Sequence, residues 1–401
     1  MIGLLIALVY LSFISLGLGQ GGALLGSAWP VIQTELGVPL SFAGILSMII
    51  TGCTIISSLL SDRLIKKFST GFITAVSALL TALALFGFSI SNSFWLLCIW
   101  AVPYGFSSGT LDVALNNYVA LHFASRHMNW LHGFWGIGAA TGPYIMSYYL
   151  ISGLDWSGGY RTVSFVQIFV AVLLFMCLPL WKKPQTITSK EQSSTPVLDL
   201  SQVTRIRGVK FILIAFLGYC ALESTAGLWA SSYLVLKRGI SPEIAARYAS
   251  LFFIGITAGR FLSGFISDKI GDRNMIRIGI AVIFAGIAAV WLPIKSDWLC
   301  LNGLIIIGLG CAPVFPSIIH ATPENFGKQN SQAIVGVQMA SAYTGSTLMP
   351  PLFGLIANNI NIGLYPVFLL FFAALLLLMT EKLNKKVGKD KVTIEWSSSN
   401  Y

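Results

Sequence analysis

Four ionisable side chains interrupt stretches of this chain that are otherwise apolar. Asp112 lies in GTLDVALNNYV (109–119), His132 in MNWLHGFWGIGAATGP (128–143), Glu223 in GYCALESTAGLWASSYL (218–234) and Arg260 in GRFLSG. Amides and tryptophans accompany them: Gln20, Asn116, Asn117, Asn129, Gln338, Trp135 and Trp229. A charge at mid-bilayer costs about 2.5–3.5 kcal/mol on insertion scales, so each must be neutral, partnered or turned toward water. Gly105, Gly109, Asp112 and Asn116 recur along one helical face, and Asn129, His132 and Gly136 along another. Desolvation disfavours the charged form of a carboxyl, which suits Asp112 to load and release a proton. Glu223, the second such acid, could couple protons or bond a pair of hydroxyls. Asn and Gln each offer two donors and an acceptor, a match for vicinal hydroxyls. A Trp face covers the apolar side of a sugar ring. The chemistry these residue types support is binding of a polyhydroxylated molecule linked to a titrating acid.

The elements that hold them must be membrane helices. The 401 residues are 55% apolar and 10% charged, with a mean hydropathy of +0.78; a soluble chain carries about 25% charged residues. Backbone in lipid must satisfy its own hydrogen bonds, so the fold expected is an all-α polytopic membrane protein. At about 20 apolar residues per crossing the chain divides into roughly twelve spans. Their limits are near 4–33, 40–60, 70–90, 94–121, 128–152, 161–181, 208–236, 243–267, 275–294, 298–320, 329–357 and 362–380. The apolar N-terminus has no basic flank and reads as a first span rather than a cleaved signal. Most Lys and Arg, such as Lys66, Lys67, Lys182, Lys183, Arg205, Arg207 and Lys385, fall in alternate loops and the C-terminal segment. The positive-inside rule then places both termini in the cytoplasm, with the chain in the plasma membrane (the inner membrane of a two-membrane cell). That placement accounts for the net charge of +10 without a nucleic-acid partner. The six cysteines lack metal-ligand spacing, and no nucleophile elbow, phosphate loop or haem motif occurs. The expectation is therefore neither an enzyme nor a metal or cofactor protein, and a monomer.

The polar stretch 182–207 reads as a cytoplasmic linker between two six-helix halves, 1–181 and 208–380, followed by a solvated, disordered cytoplasmic tail, 381–401. SDRLIKK (61–67) and SDKIGDR (267–273) occupy equivalent loops of the two halves, as Pro143 and Pro350, and Trp29 and Trp229, occupy equivalent spans. Repeated halves of this kind place a substrate site at mid-membrane between them. In the loops, Asp62, Arg63, Asp268, Lys269 and Arg273, with Arg260 two turns away, suit a conformational latch. The glycine-rich 136–143 segment suits close helix packing and rocking.

With these residues assembled, the chain resembles the major facilitator superfamily, and within it the fucose–glucose–galactose type of sugar symporter. GFISDKIGDR (264–273) is similar to that superfamily's loop signature, while the first-half copy is degenerate, with Ser58 and Ile65 at its glycine positions. GTLDVALNNYV, MNWLHGFWGIGAATGP and ALESTAGLWASSYL carry the narrower likeness. The resemblance implies twelve helices in two pseudo-symmetric halves and alternating access for a monosaccharide with proton symport. It assigns proton coupling to Asp112 or Glu223. The sugar contacts it implies are Gln20, Asn116, Asn117, Asn129, His132, Trp135, Glu223, Trp229 and Gln338. Fucose symporters carry an aspartate in span 1; here Gln20 holds the middle and Glu35 the outer end, which argues against fucose itself and leaves coupling open between proton, sodium and none. A proton-driven exporter of drugs or metabolites, or a non-transporting receptor, are the competing expectations.

Overall fold

The computed structural model describes residues 2–19, 21–39, 42–152, 154–182, 198–240, 242–292 and 297–398. Among them the regular elements are all helical. The longer helices are α1 (Ile2–Leu18), α2 (Gly21–Glu35), α3 (Phe42–Phe68), α4 (Thr70–Ser89), α5 (Phe94–His122), α6 (Ser125–Ile151) and α7 (Trp156–Met176). After the short α8 (Leu200–Arg205) come α9 (Val209–Arg238), α10 (Pro242–Ile270), α11 (Asp272–Trp291) and α12 (Asp297–Cys311). Two short helices, α13 (Val314–His320) and α14 (Thr322–Phe326), lead to α15 (Lys328–Ile356) and α16 (Tyr365–Ser398).

Among the described residues, 9 helical segments are long and apolar enough to cross a bilayer, and the last of these, 328–387, takes in both the eleventh and twelfth expected spans. The two expected spans outside this set are instructive. The first, 4–33, is two helices, α1 and α2, parted at GLGQGG. The fifth, α6, opens on SRHMN and continues through GIGAATG, too polar and small a composition for an ordinary lipid-facing helix. Twelve crossings require α1–α2 to cross as one broken span and α6 as a polar one. Pro313 parts α12 from α13, as a residue without an N–H does inside a helix.

The chain forms two compact units, Met1–Val119 with Trp130–Val197, and Ala120–Asn129 with Leu198–Tyr401. The turn 120–129 thus groups with the second unit. Of the expected linker, 183–197 lie outside the described residues, but 200–205 form α8 rather than open chain. Its start is closed by Gln202, whose side chain accepts from the Asp199 N–H at 2.9 Å, and Val203 is buried. The segment from 381 is likewise helical as far as Ser398 instead of disordered. Arg277 on α11 holds its start through a two-point pair with Glu381, at 2.6 and 2.8 Å.

In the first unit, Leu24, Trp29, Leu46, Leu85, Phe88, Tyr104, Trp156 and Tyr160 form a buried apolar cluster. Lipid gives helices no hydrophobic reason to associate, so close backbone approach and hydrogen bonds between helices do that work. A Cβ on Gly105 would lie 2.3 Å from the Ile50 carbonyl oxygen, and one on Gly109 2.5 Å from that of Thr54. These glycines bring α5 against α3, where the Thr54 hydroxyl also donates to the Gly105 carbonyl at 3.0 Å. In the second unit Gly345 brings α15 equally close to α9, with Leu217 O 2.4 Å from where a Cβ would be. Ser341 donates to Leu213 O at 2.9 Å in the same contact.

Candidate functional site

The approach of α5 to its neighbours fixes the ionisable cluster of the first unit. Asp112 and Asn116 are one turn apart on α5, and the Asn116 Nδ2 donates to Asp112 Oδ1 at 2.8 Å. The Asn116 Oδ1 faces His132 Nε2 on α6 at 3.0 Å. An amide oxygen only accepts, so this ring nitrogen donates, which sets which nitrogen carries the proton. The ring of His132 meets the Phe13 ring on α1 edge-on at 5.4 Å. Asn116 is fully buried and His132 nearly so, while Asp112 is half-buried. The result is a continuous chain, carboxylate to amide to imidazole, that runs from a half-open acid into the packed interior. Asn117 is buried beside it in sequence, and Trp135, half-buried, follows His132 on α6.

The break between α1 and α2 is braced by two residues that the sequence did not single out. The Tyr104 hydroxyl donates to the Gly19 carbonyl, and Gln167 Nε2 on α7 donates to Ser15 O at 2.6 Å. Gln167 is buried, and its Oε1 has no hydrogen-bond partner among the described residues. A lone amide within an apolar run, IFVAV following VQ, was the available signal. Gln20 itself lies outside the described residues. At the other end of the unit Glu35 accepts from Trp156 Nε1 at 2.6 Å.

In the second unit the acid is paired. Glu223 Oε1 lies 3.4 Å from Arg260, whose side chain is only 5% exposed against 21% for Glu223. The sequence grouped Arg260 with the loop latch; the structure sets it against Glu223 on α9. Tyr219, one turn before Glu223, donates to Cys311 O at 2.9 Å, where Pro313 interrupts the α12 backbone. Gln338 on α15 is fully buried; its Oε1 accepts from Thr322 at 3.0 Å and its Nε2 has no partner among the described residues. Trp229 is tied down, with Nε1 donating to Pro350 O at 2.9 Å and its ring 5.7 Å from that of Phe353. Asn129, grouped with this unit, donates to Ser125 O at 3.1 Å, and its Oδ1 has no partner among the described residues.

The two loop signatures behave differently. Asp62 is buried and pairs with Lys66 at 2.9 Å within its own helix, and Arg63 is exposed. Asp268 instead accepts from the Arg126 backbone N–H at 2.9 Å and pairs with the Arg126 side chain. Asp272, four residues on, accepts from Ser125 Oγ at 2.6 Å and meets His320 Nδ1 at 2.6 Å. The other nitrogen of His320 reaches Phe123 O at 2.9 Å. Lys269 is exposed, and Arg273 has one buried nitrogen without a partner among the described residues. His320 was invisible to sequence reading because its partners are remote in the chain. His127, in the same turn, is half-buried; that burial, reinforced by the Arg126 charge and opposed by Asp268, holds its ring below its ordinary pKa. Among the described residues no cluster of His, Cys, Asp and Glu could hold a metal ion.

Comparison with known proteins bears on the fold and the family. A model of the Major Facilitator Superfamily matches residues 9–331 and 230–393. The glucose/mannose transporter of Bacillus subtilis (strain 168) is 22% identical over 351 residues, 85% of this chain and 85% of the relative. A crystal structure of the E. coli fucose:proton symporter superposes with a TM-score of 0.75 at 15% identity, covering 95% of this chain and 98% of that one. A proton-coupled antiporter flippase of Staphylococcus saprophyticus is 24% identical over 172 residues, 42% of this chain and 40% of its own length.

Proposed function

The chain belongs to the Major Facilitator Superfamily, and on that premise we propose that it moves a monosaccharide across the cytoplasmic membrane by alternating access, driven by proton symport. The observation that carries the proposal is the chain Asp112–Asn116–His132. Asp112 is the proton carrier in this reading, and Glu223 is not, because the permanently charged Arg260 already answers its charge. While Asp112 is charged it holds the Asn116 amide by a charge-assisted hydrogen bond, and that amide in turn holds His132. Protonation removes the charge and loosens the hold. Asn116 and His132 then turn their donors and acceptors to sugar hydroxyls. Proton binding thereby raises sugar affinity, and sugar must raise proton affinity by the same free energy.

Within the second unit, Glu223, Gln338 and Asn129 are candidate hydroxyl contacts, and the orphaned polar atoms of Gln338 and Asn129 ask for a partner. Trp229 and Trp135 supply ring faces, and Gln20 and Asn117 further amides. Asp268 and Asp272, bonded to the 123–126 turn, serve as the cytoplasmic latch of the second unit, with Lys269 and Arg273; Asp62 and Arg63 are the corresponding residues of the first unit's loop. Both termini lie in the cytoplasm. The relatives that support the sugar are the glucose/mannose transporter and the fucose:proton symporter.

The proton-coupled antiporter flippase, which matches under half of the chain, favours a second reading, proton-driven export. Uptake of a labelled monosaccharide panel into proteoliposomes separates the two. The symport reading expects saturable uptake under an inward proton gradient and none from a sodium gradient alone. No sugar moved under any gradient removes it and leaves the exporter.

A further inference from the structure

The turn 120–129, which joins α5 to α6, is held within the second unit by a histidine that the transport reading leaves unused. His320 ends α13 and Asp272 begins α11, and all three parts belong to one compact unit. The ring is pinned from both sides. Its Nε2 lies 2.9 Å from the Phe123 carbonyl oxygen, and its Nδ1 lies 2.6 Å from Asp272 Oδ2. The other carboxylate oxygen of Asp272 accepts from Ser125 Oγ at 2.6 Å, in the same turn. The side chains of His320 and Asp272 are only 19% and 10% exposed, so little water reaches these contacts.

A neutral imidazole has one N–H donor and one lone pair. Here both nitrogens face oxygen acceptors. With the hydrogen on Nε2, the Nδ1 lone pair would meet the carboxylate; with it on Nδ1, the Nε2 lone pair would meet the carbonyl. Both contacts stand together only when a second proton lies between Nδ1 and Oδ2. The charges that act on the ring are Asp272 and, from the end of α10, Asp268; Arg126 of the turn pairs with Asp268. Further charges on helices packed against α13 include Arg273 and Arg277 on α11, Glu324 on α14, and Lys210 and Glu223 on α9. We propose that His320 and Asp272 form a second proton site, whose proton closes the 123–126 turn onto α11 and α13. It lies on the side that the distribution of Lys and Arg assigns to the cytoplasm. Loss of the proton to water breaks one of the two contacts, whichever nitrogen keeps its hydrogen. The closed turn thus holds one proton more than the open turn. Closure is complete below the ordinary histidine value of about 6.5 and weakens as pH rises above it. The site is separate from Asp112 and independent of what the protein carries. An acidic cytoplasm holds the turn and a basic one frees it.

The test uses the purified full chain in lipid nanodiscs, with its histidines labelled with nitrogen-15 for magnetic resonance. At about pH 8 a free histidine is neutral. One of the 4 histidines should nonetheless show both ring nitrogens protonated, and that signal should be absent from His320→Gln and from Asp272→Asn. Hydrogen-exchange mass spectrometry of the 120–129 peptide, corrected for the intrinsic rate, then reads closure. His127→Gln serves as the common background, because His127 lies in the same turn and titrates with the opposite sign. With His320 and Asp272 present, protection should fall by up to about tenfold per pH unit above about 6.5. It should stay level in either variant. Both substitutions keep a bond without the extra proton: the glutamine amide can donate to Phe123 O, and the asparagine amide to a neutral Nδ1. A spectrum without a doubly protonated ring that depends on His320 overturns the proposal, as does a protection slope that survives both substitutions.

Discussion

Replacing Asn116 by Leu removes the middle of the Asp112–Asn116–His132 chain at nearly constant volume. Three bonds go: those to the Asp112 carboxylate at 2.8 Å and to the Asp112 carbonyl at 3.0 Å, and one from His132 at 3.0 Å. An unsatisfied buried polar group costs about 1–3 kcal/mol. Asp112 is half-buried, so water replaces part of its loss; His132 is 6% exposed and bears most of it. The single variant should therefore lose about 1–3 kcal/mol. His132→Phe strands the Asn116 Oδ1, fully buried, and should lose a similar amount. In the double variant the histidine and the amide are both gone, and only Asp112 is left short. Its loss should be about 1–2 kcal/mol, well under the sum of the singles, which is a coupling of about 1–3 kcal/mol. The six free cysteines, four of them buried, allow unfolding to be followed with a thiol-reactive dye. The double variant should show a midpoint above the additive expectation. Strict additivity would mean that these bonds do not share one amide, and the coupling mechanism drawn from them would fail.

Arg260→Met should destabilise the protein and stop transport by stranding Glu223, with partial recovery in Arg260→Met/Glu223→Gln, read as unfolding midpoint and uptake. Breaking a buried pair costs about 3–5 kcal/mol; the 21% exposure of Glu223 puts the cost here below that. Gly109→Val should prevent folding, because its Cβ would sit 2.4 Å from Ser57 Oγ and 2.5 Å from Thr54 O, whereas Gly52→Ala, with nothing within 4 Å, should express and elute as wild type in size-exclusion chromatography. Because the folded protein holds His127 below its ordinary 6.5, the unfolded chain binds the extra proton more readily. Stability should then fall as pH drops through about 6.5 and level off below the folded value. His127→Gln should flatten that slope in pH-dependent unfolding.

The helical repeat made Gly105, Gly109, Asp112 and Asn116 legible as one face, and the structure packs the glycines on α3 and bonds the two polar groups to each other. Membrane helices write such relations within one segment, so a 3.6-residue period recovers them. Relations between segments were not legible. Nothing in GRFLSG says that Arg260 turns to Glu223, and nothing near His320 names Phe123 or Asp272 as partners. The repeated SD motifs suggested two equal latches, yet Asp62 pairs within its helix while Asp268 reaches Arg126. The C-terminal segment looked solvated by composition, but it has no proline, and the Arg277–Glu381 pair prolongs the helix it follows.

Uptake of labelled glucose into proteoliposomes under an inward proton gradient, in wild type and Asp112→Asn, tests the central claim most directly. Wild type should accumulate sugar above equilibrium. The variant should lose that accumulation yet still exchange internal for external sugar, since the amide retains hydrogen-bonding capacity without a proton to carry. Gradient-driven accumulation that survives in Asp112→Asn would contradict the account.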